Sequence, residues 1–193
     1  MESNFYAMLS RMKLIQRWSL MRNSQTENIS EHSLEVSILA HALAIIRRER
    51  LGKQTNAEKV ALIGIYHDAP EIITGDMPTP IKYFNEEIKD AFKNVEMVAA
   101  QRLLGMLPDD LRNHYEEYFF PREGDRYEWK LVKAADKLSA LIKCIDERKT
   151  GNTEFLSAEK SLVQILKDME LEEVNIFMEE FLPAYYKTLD ELN

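Results

Sequence analysis

The chain has 193 residues, of which 45% are hydrophobic and 30% charged, a balance typical of one folded globular domain. Its formal net charge of −8 disfavours binding to a nucleic-acid polymer, which needs clustered Lys and Arg, but it is compatible with a small phosphorylated ligand. Only six Gly and six Pro are present, too few for an all-β fold rich in turns. We therefore expect a single domain over residues 1–193.

The sequence also predicts a cellular compartment. Cys144 is the only cysteine, so no internal disulfide can form, which fits a reducing cytosol. The first twenty residues lack the apolar core of a signal peptide, and no apolar run approaches the about 20 residues that span a bilayer. We expect a cytoplasmic protein that does not contact a membrane.

The hydrophobic spacing predicts amphipathic helices along most of the chain. A first helix is expected from Phe5 to about Trp18, and a long second helix is expected to begin at Ser30 as its N-cap. The predicted buried residues of the first are Leu9, Met12, Leu14 and Ile15. Those of the second are Leu34, Ile38, Leu39, Ala42, Leu43 and Ile46.

A third helix is expected from a capping-box pattern at residues 55–58 to His67, and Pro70 should then turn the backbone. The prolines of residues 75–80 predict a loop. The remaining predicted helices are about Glu86–Met106, Asp109–Tyr118, Asp125–Lys149, Glu154–Met169 and Val174–Leu189, the last one interrupted at Pro183. No segment alternates like a strand, so the predicted fold is an all-α, single-domain helical bundle.

Three of these helices carry residues with metal-ligand chemistry: His32, the pair His67-Asp68, and Asp136. Asp136 follows Ala134 and Ala135, and an aspartate among small apolar residues is expensive to bury unless a cation meets it. Two imidazoles and two carboxylates form a mixed nitrogen and oxygen set that suits Mn, Fe, Co or Zn.

Taken singly, each of these residues has an ordinary interpretation. His32 could be a polar surface or capping residue at a helix start, and Asp136 could pair with Lys133, Lys137 or a distant Arg. The joint order, with each member on its own long helix, is much rarer than its parts and favours a metal site.

The order His32, His67-Asp68 and Asp136 resembles the signature of the HD superfamily of metal-dependent phosphohydrolases. Longer motifs resemble the YfbR-type bacterial 5′-deoxynucleotidases, from the N-terminal helix to the last one. These motifs are RW at residues 17–18, TENISEHS at 26–33, YHDAPE at 66–71, TGDMPTPIKYF at 74–84 and KAAD at 133–136. One departure is Pro70, where the family has a small polar residue, although the spacing to Glu71 is intact.

This resemblance implies an HD-domain fold, a homodimer, and hydrolysis of deoxyribonucleoside 5′-monophosphates to deoxyribonucleosides and phosphate. It implies one divalent metal ion, Co, Mn or similar, with Zn, Fe or Mg as alternatives, bound by His32, His67, Asp68 and Asp136. It makes Glu71 and Asp76 the catalytic residues. The implied substrate-binding residues are Arg17, Trp18, His32, His67, Asp76, Met77, Pro78, Thr79 and Asp136.

The residues themselves are compatible with these roles. Glu71 follows His67 by four positions, so a continued helical path would place its carboxylate where it could orient or deprotonate a water. The planar fork of Arg17 suits a phosphate, and Trp18 could be a wall that rejects a 2′-hydroxyl. The alternative for Arg17-Trp18 is an amphipathic helix end, with Trp18 in the core and Arg17 in water.

Two other functions stay open. One is another HD activity on a cyclic dinucleotide, an alarmone or a nucleoside triphosphate; Ile72 after Glu71 disfavours the alarmone, because the acidic pair of alarmone hydrolases is absent. The other is a non-catalytic module that binds metal or nucleotide. His41, His114 and Cys144 are expected outside the site, and the aromatic stretches 115–120 and 177–186 could be core or interface.

Overall fold

The computed structural model describes residues 2–82 and 84–192, and within these ranges it contains α- and 3-10 helices and no strand. The α-helices are α1 Phe5–Leu9, α2 Ile29–Leu51, α3 Ala57–Tyr66, α4 Glu71–Thr74, α5 Thr79–Lys82, α6 Glu86–Leu104, α7 Asp109–Phe119, α8 Arg126–Lys149, α9 Leu156–Asp168 and α10 Glu172–Glu180. The 3-10 helices are Met12–Leu14, Thr153–Phe155, Leu182–Tyr186 and Leu189–Leu192. The predicted all-α fold is confirmed. Tyr83, part of the motif at 74–84, lies outside the described residues.

The helices enclose two apolar clusters. The main core is formed by α2, α3, α8, α9 and α10 and includes Leu43, Ile63 and Leu138, with Cys144 buried as expected. The second cluster lies under α1, α6 and α7 and includes Phe5 and Phe119. Aromatic residues of the stretch 115–120 belong to this second cluster, and Phe177 belongs to the main core.

The crossing of α2 and α3 is unusually close because α3 carries Gly64. A Cβ atom at Gly64 would lie 2.8 Å from the Cα atom of Ser37 on α2. The Ser37 hydroxyl also donates to the carbonyl of Ala61 at 2.8 Å. This contact brings the start of α2 beside the end of α3, which are the two places where His32 and His67 lie.

The prediction for the N-terminal segment was wrong in length. The helix ends at Leu9, a 3-10 turn follows at Met12–Leu14, and Trp18 lies in a loop. Met12 is buried, whereas Leu14 is 57% exposed. An antiparallel bridge between Gln16 and Asn28 closes this loop, and a long-range pairing of that kind is invisible to helical periodicity.

The N-cap of α2 is Asn28 rather than Ser30. Its side chain accepts from the backbone N–H of Glu31, and the Glu31 side chain accepts from the Asn28 N–H, which completes a capping box. Two of the residues predicted to be buried are largely exposed: Leu34 is 60% exposed and Ile38 is 61% exposed. Because α2 is apolar around much of its circumference, spacing alone could not decide which stripe faces the core.

Each end of the middle helices lies within two residues of its predicted position. Pro80, predicted in a loop, lies in the first turn of α5, where no intrahelical donor is required. The final helix ends at Glu180, and Pro183 falls in the 3-10 turn that follows.

One helix of the described residues, Ile29–Leu51, is long and apolar enough to cross a membrane, contrary to the expectation that no such run exists. More than half of its most apolar stretch is buried by neighbouring helices. This burial is typical of a core helix.

Candidate metal centre and active site

Three predicted ligands meet where α2 begins and α3 ends. Donor atoms of His32, His67 and Asp68 lie within 4.8 Å of one another. The Nε2 atoms of His32 and His67 approach Asp68 Oδ2 at 3.4 and 3.3 Å. We call these three residues and Asp136 the metal cluster.

The hydrogen bonds of the two imidazoles fix which nitrogen faces the cluster. His67 Nδ1 lies 2.8 Å from the carbonyl of Gly64, so this nitrogen must donate its proton. His32 Nδ1 lies 3.1 Å from Ser139 Oγ, whose own hydroxyl donates to Glu35 at 2.5 Å. Both Nε2 atoms are buried and have no hydrogen-bond partner. Two lone pairs aimed at carboxylates suit a bound cation, so the residues fit a metal ion.

Asp136 reaches the cluster from the middle of α8. Its Oδ1 lies 3.2 Å from His32 Nε2, and its Oδ2 accepts from Lys137 Nζ at 2.8 Å. Burial opposes ionisation, but Lys137 and His32 hold the pKa of Asp136 well below its usual range. Burial likewise lowers the pKa of His32, yet the neighbouring carboxylates of Asp136 and Glu27 raise it to about 9. The surroundings therefore favour positive charge between these groups.

Arg17 lies beside the metal cluster and is almost buried, with a side chain 12% exposed. Its Nη1 is 3.5 Å from Asp68 Oδ2 and its Nε is 3.4 Å from Glu27 Oε1. The alternative of an Arg17 facing water is therefore wrong. The guanidinium brings a fixed positive charge next to the cluster, where a phosphate would need it.

Trp18 follows in the same loop, with a backbone φ of 58° that non-glycine residues rarely adopt. Its indole N–H donates to Glu27 at 2.8 Å, and its ring packs against Phe155 with centroids 5.3 Å apart. Trp18 is thus half-buried against the main core, as the alternative interpretation expected, while its neighbour Arg17 contacts the cluster.

Glu71 occupies the first turn of the short helix α4, directly after Pro70, and is 6% exposed. Its Oε2 has no hydrogen-bond partner. Burial, with the charges of Asp68 and Asp76, raises the pKa of Glu71 to about 9. Burial also raises the pKa of Asp76, which follows the left-handed Gly75. Both carboxyl groups are therefore easier to protonate than they would be in water.

The rest of the predicted substrate segment lies at the surface beyond Asp76. Met77 and Pro78 are half-buried in the turn before α5, and Thr79 is exposed at its first position. His41 and His114 are exposed, as expected of residues outside the site.

Three residues of the site were not predicted. Glu27 accepts from Trp18, pairs with Arg17 and lies 3.3 Å from His32 Nδ1. Ser139 and Glu35 form a hydrogen-bond chain that starts at the same His32 nitrogen. Glu27 lies inside the motif at 26–33, but the long-range backbone pairing of residues 16–17 with 27–28 is what brings it to Arg17. Ser139 lies three residues after Asp136, one helical turn further on, which is the signal that could have identified it.

Solved structures share this architecture. An HD-domain phosphohydrolase from Listeria innocua aligns with a TM-score of 0.80 and 24% identity over 94% of this chain and 88% of its own. A cyanophage S-2L HD phosphohydrolase, solved with dA and one catalytic Zn²⁺, aligns with a TM-score of 0.65 and 21% identity over 94% and 96%. The fold is therefore that of the HD-domain phosphohydrolases.

The sequence comparisons are more specific. The family model of the YfbR-like 5′-deoxynucleotidases matches residues 4–185. A 5′-deoxynucleotidase of Klebsiella pneumoniae is 47% identical over 100% of this chain and 96% of its own length, and one of Vibrio cholerae is 47% identical over 100% and 99%. The Escherichia coli 5′-deoxynucleotidase YfbR is 46% identical over 100% and 96%. The chain belongs to the YfbR-like 5′-deoxynucleotidase family.

Proposed function

We propose that the protein is a metal-dependent 5′-deoxynucleotidase that hydrolyses deoxyribonucleoside 5′-monophosphates to deoxyribonucleosides and phosphate. The observation that carries this proposal is the cluster of His32, His67 and Asp68, with two unpartnered imidazole nitrogens beside Arg17. Relatives that match the chain over its full length carry the name of this activity.

We propose that His32, His67, Asp68 and Asp136 hold one divalent ion, Co, Mn or similar, with Zn, Fe or Mg as alternatives. When bound, the ion would supply Lewis-acid charge for the phosphoryl oxygens and the attacking water. Gly64 and Ser139 hold the two imidazoles in the orientation that leaves Nε2 available.

The protein's own side chains supply the remaining parts of the reaction. Arg17 binds and neutralises the phosphate through its planar N–H groups. The water oxygen forms a bond to phosphorus as the bond to the 5′-oxygen breaks. One proton must leave the water and one must reach the 5′-oxygen, and Glu71 and Asp76 share these two transfers. Met77, Pro78 and Thr79 contact the nucleotide at the outer side of the site.

Trp18 is proposed to select the sugar. Its ring is held between Phe155 and Glu27, so it cannot swing away from a bound nucleotide without breaking both contacts. A rigid ring against C2′ would leave no room and no hydrogen bond for a 2′-hydroxyl.

The test is phosphate release by metal-stripped protein after addition of Mn, Co, Mg or Zn. Each 5′-deoxynucleotide is paired with its ribonucleotide. Release from the deoxy forms alone, in the presence of metal, is expected. Equal phosphate release from deoxynucleotides and ribonucleotides would support phosphohydrolase activity but contradict the proposed role of Trp18 in sugar selection. If no metal gives phosphate release, the proposed function is wrong, and the alternatives are another HD activity with a different substrate or a non-catalytic module.

We also propose that the protein is a homodimer. The outward face of α2 carries Leu34 and Ile38, about one turn apart and both largely exposed, which suits burial against a second copy. Sedimentation equilibrium should give twice the chain mass of 22.6 kDa. The double variant Leu34→Asp, Ile38→Asp should give the single mass, whereas Leu192→Asp, also at an exposed leucine, should not.

The cytoplasmic location, the absence of a nucleic-acid partner and the single-domain organisation over residues 1–193 stay predictions. The first two rest on the single cysteine and the net charge of −8. Fractionation of cells and binding assays with DNA and RNA would check them.

A further inference from the structure

The loop of residues 16–28 carries Arg17, Trp18 and Glu27, yet only its two ends are held by regular backbone pairing. The N–H of Arg17 donates to the carbonyl of Glu27 at 2.9 Å, and the N–H of Ile29 donates to that of Ile15 at 3.0 Å. Between these two pairings, the backbone hydrogen bond of the loop is local, from the N–H of Met21 to the carbonyl of Trp18 at 2.9 Å. Another part of the molecule must therefore fix the middle of the loop.

That part is Glu147, near the end of α8. The backbone N–H of Ser24 donates to both of its oxygens, at 3.1 and 2.8 Å, and the N–H of Gln25 donates at 3.4 Å. Lys143 Nζ donates to Oε1, and Asn152 Nδ2 donates to Oε2 at 2.8 Å. Glu147 is 1% exposed. Both oxygens of this buried carboxylate accept hydrogen bonds, and the donors from the loop are backbone N–H groups. The contact therefore does not depend on which side chains the loop carries.

The same donors reach the loop a second time. Lys143 Nζ also donates to the carbonyl of Gln25, and Asn152 Nδ2 also donates to that of Arg22 at 2.7 Å. Phe155, on which the Trp18 ring packs, lies three residues after Asn152. The middle of the loop and the Trp18 ring are thus both held by the region at the end of α8 and the residues that follow it, from Lys143 to Phe155.

We propose that Glu147 is a positioning residue for substrate recognition, because it fixes the loop that presents Arg17 and Trp18 to the metal cluster. It does not touch the cluster, whose ligand on the same helix, Asp136, lies eleven residues earlier in the sequence. The inference rests on the proposed function for its substrate. Losing Glu147 should loosen the discrimination between sugars while metal binding is unchanged.

Glu147→Gln tests this with almost no change in shape. A glutamine has one acceptor oxygen, so its NH₂ group would face N–H donors whichever way it is turned. The matched control is Glu173→Gln, since Glu173 is also fully buried but is bound by Tyr127 at 2.7 Å, away from the loop. Asn152→Ala is a milder second variant, for use if Glu147→Gln does not fold.

Three quantities are measured for each variant. The first is the ratio of kcat/KM for a deoxynucleotide to that for its ribonucleotide. The second is Mn²⁺ affinity by calorimetry. The third is acrylamide quenching of Trp18 fluorescence in a Trp129→Phe background, which leaves Trp18 as the one tryptophan of the chain.

We expect Glu147→Gln to lower the sugar ratio by about tenfold or more, mainly through KM, and to increase Trp18 quenching, with Mn²⁺ affinity within about twofold of wild type. Asn152→Ala should shift both readouts less, in the same direction, and Glu173→Gln should shift neither. The inference is overturned if Glu147→Gln leaves Trp18 quenching and the sugar ratio at wild-type values, or if Glu173→Gln changes them equally.

Failure of the proposed function has a different signature, because the wild type itself would then release no phosphate. In that case deoxynucleotide binding, followed through Trp18 fluorescence, replaces the kinetic ratio. Weaker binding by Glu147→Gln alone would support the positioning role, and equal binding by all variants would overturn it.

Discussion

Glu71 and Glu147 are both buried carboxyl groups, but their surroundings are opposite. The Glu147 carboxylate accepts hydrogen bonds on both oxygens, and despite burial Lys143, Ser24 and Asn152 lower its pKa to about 2. Around Glu71, the neighbours include Asp68 and Asp76, one oxygen has no hydrogen-bond partner, and the pKa is raised to about 9. Two carboxyl groups that are both almost fully buried therefore differ in charge: Glu147 is ionised at neutral pH, whereas Glu71 readily holds a proton.

This difference separates a structural anchor from a reacting centre. A fully hydrogen-bonded carboxylate stabilises the fold and resists change. A carboxyl group that lacks partners is less stable than it would be in water, and folded proteins keep such groups mainly where chemistry requires them. The comparison predicts that Glu71 matters for turnover and Glu147 for stability and loop position.

The largest expected effect is on turnover. Glu71→Gln should lower kcat by about 10² to 10⁴, because one of the two proton transfers loses its group. Its free energy of unfolding should be unchanged or slightly higher, since a buried, poorly partnered carboxyl group is replaced by a neutral amide. Steady-state kinetics and urea unfolding check both parts. A variant that keeps wild-type kcat would make Glu71 a structural residue.

Next in size is the loss of the anchor. Glu147→Ala should lower the free energy of unfolding at neutral pH by about 3 to 5 kcal/mol, because several buried donors lose their acceptor. The pKa of Glu147 is below its ordinary 4.5 in the folded protein, so its stabilisation is complete above that value and is lost as the pH falls towards 2. The gap between wild type and variant should therefore narrow from pH 5 to pH 3.

Urea titrations at several pH values measure this gap. Glu179→Ala, at an exposed glutamate, is the control and should show no gap at any pH. A gap for Glu147→Ala that is constant down to pH 3 would contradict a lowered pKa.

A smaller effect is expected on the helix crossing that assembles the metal cluster. Gly64→Ala would place a Cβ atom 2.8 Å from Ser37 Cα, a backbone atom that cannot turn aside. We expect destabilisation by about 1 to 3 kcal/mol and weaker metal binding, as His67 shifts relative to His32. Gly124→Ala is the control, because nothing lies within 4 Å of its Cβ position. Equal melting temperatures of the two variants would contradict this prediction and show that α2 and α3 can move apart at little cost in stability.

The smallest effect concerns the outer contacts of His32. Ser139→Ala removes the hydroxyl at 3.1 Å from Nδ1 and should weaken metal binding by about tenfold, because the imidazole loses part of its orientation. Calorimetric titration with Mn²⁺ measures it. Ser161→Ala, which removes a hydroxyl that donates to the Ser157 carbonyl on α9, should leave the affinity unchanged. An unchanged affinity for Ser139→Ala as well would assign the orientation of His32 to Glu27 alone.

The sequence predicted the helices and the four cluster residues because both follow from local rules: 3.6-residue spacing, caps and a rare order of ligand-type side chains. It could not predict which stripe of α2 faces the core, since Leu34 and Ile38 are as apolar as the buried residues. The contacts between Glu147 and the loop could not be predicted from the sequence either. Ser24 and Glu147 are 123 positions apart, and the contact is made by backbone N–H groups, which leave no trace in side-chain identity.

The loop that carries Arg17 and Trp18 leaves and returns at one place, where Ile15 pairs with Ile29. A segment closed in this way can change in length or composition without moving the helices at either end. Because Glu147 binds the N–H groups of Ser24 and Gln25, a change of side chain at these two positions would not remove the hydrogen bonds. On the proposed function, the residues for sugar preference then lie on a loop that is separate from the helices carrying the metal cluster. Exchanging residues 18–26 between relatives would then change the sugar preference and leave the hydrolytic site in place.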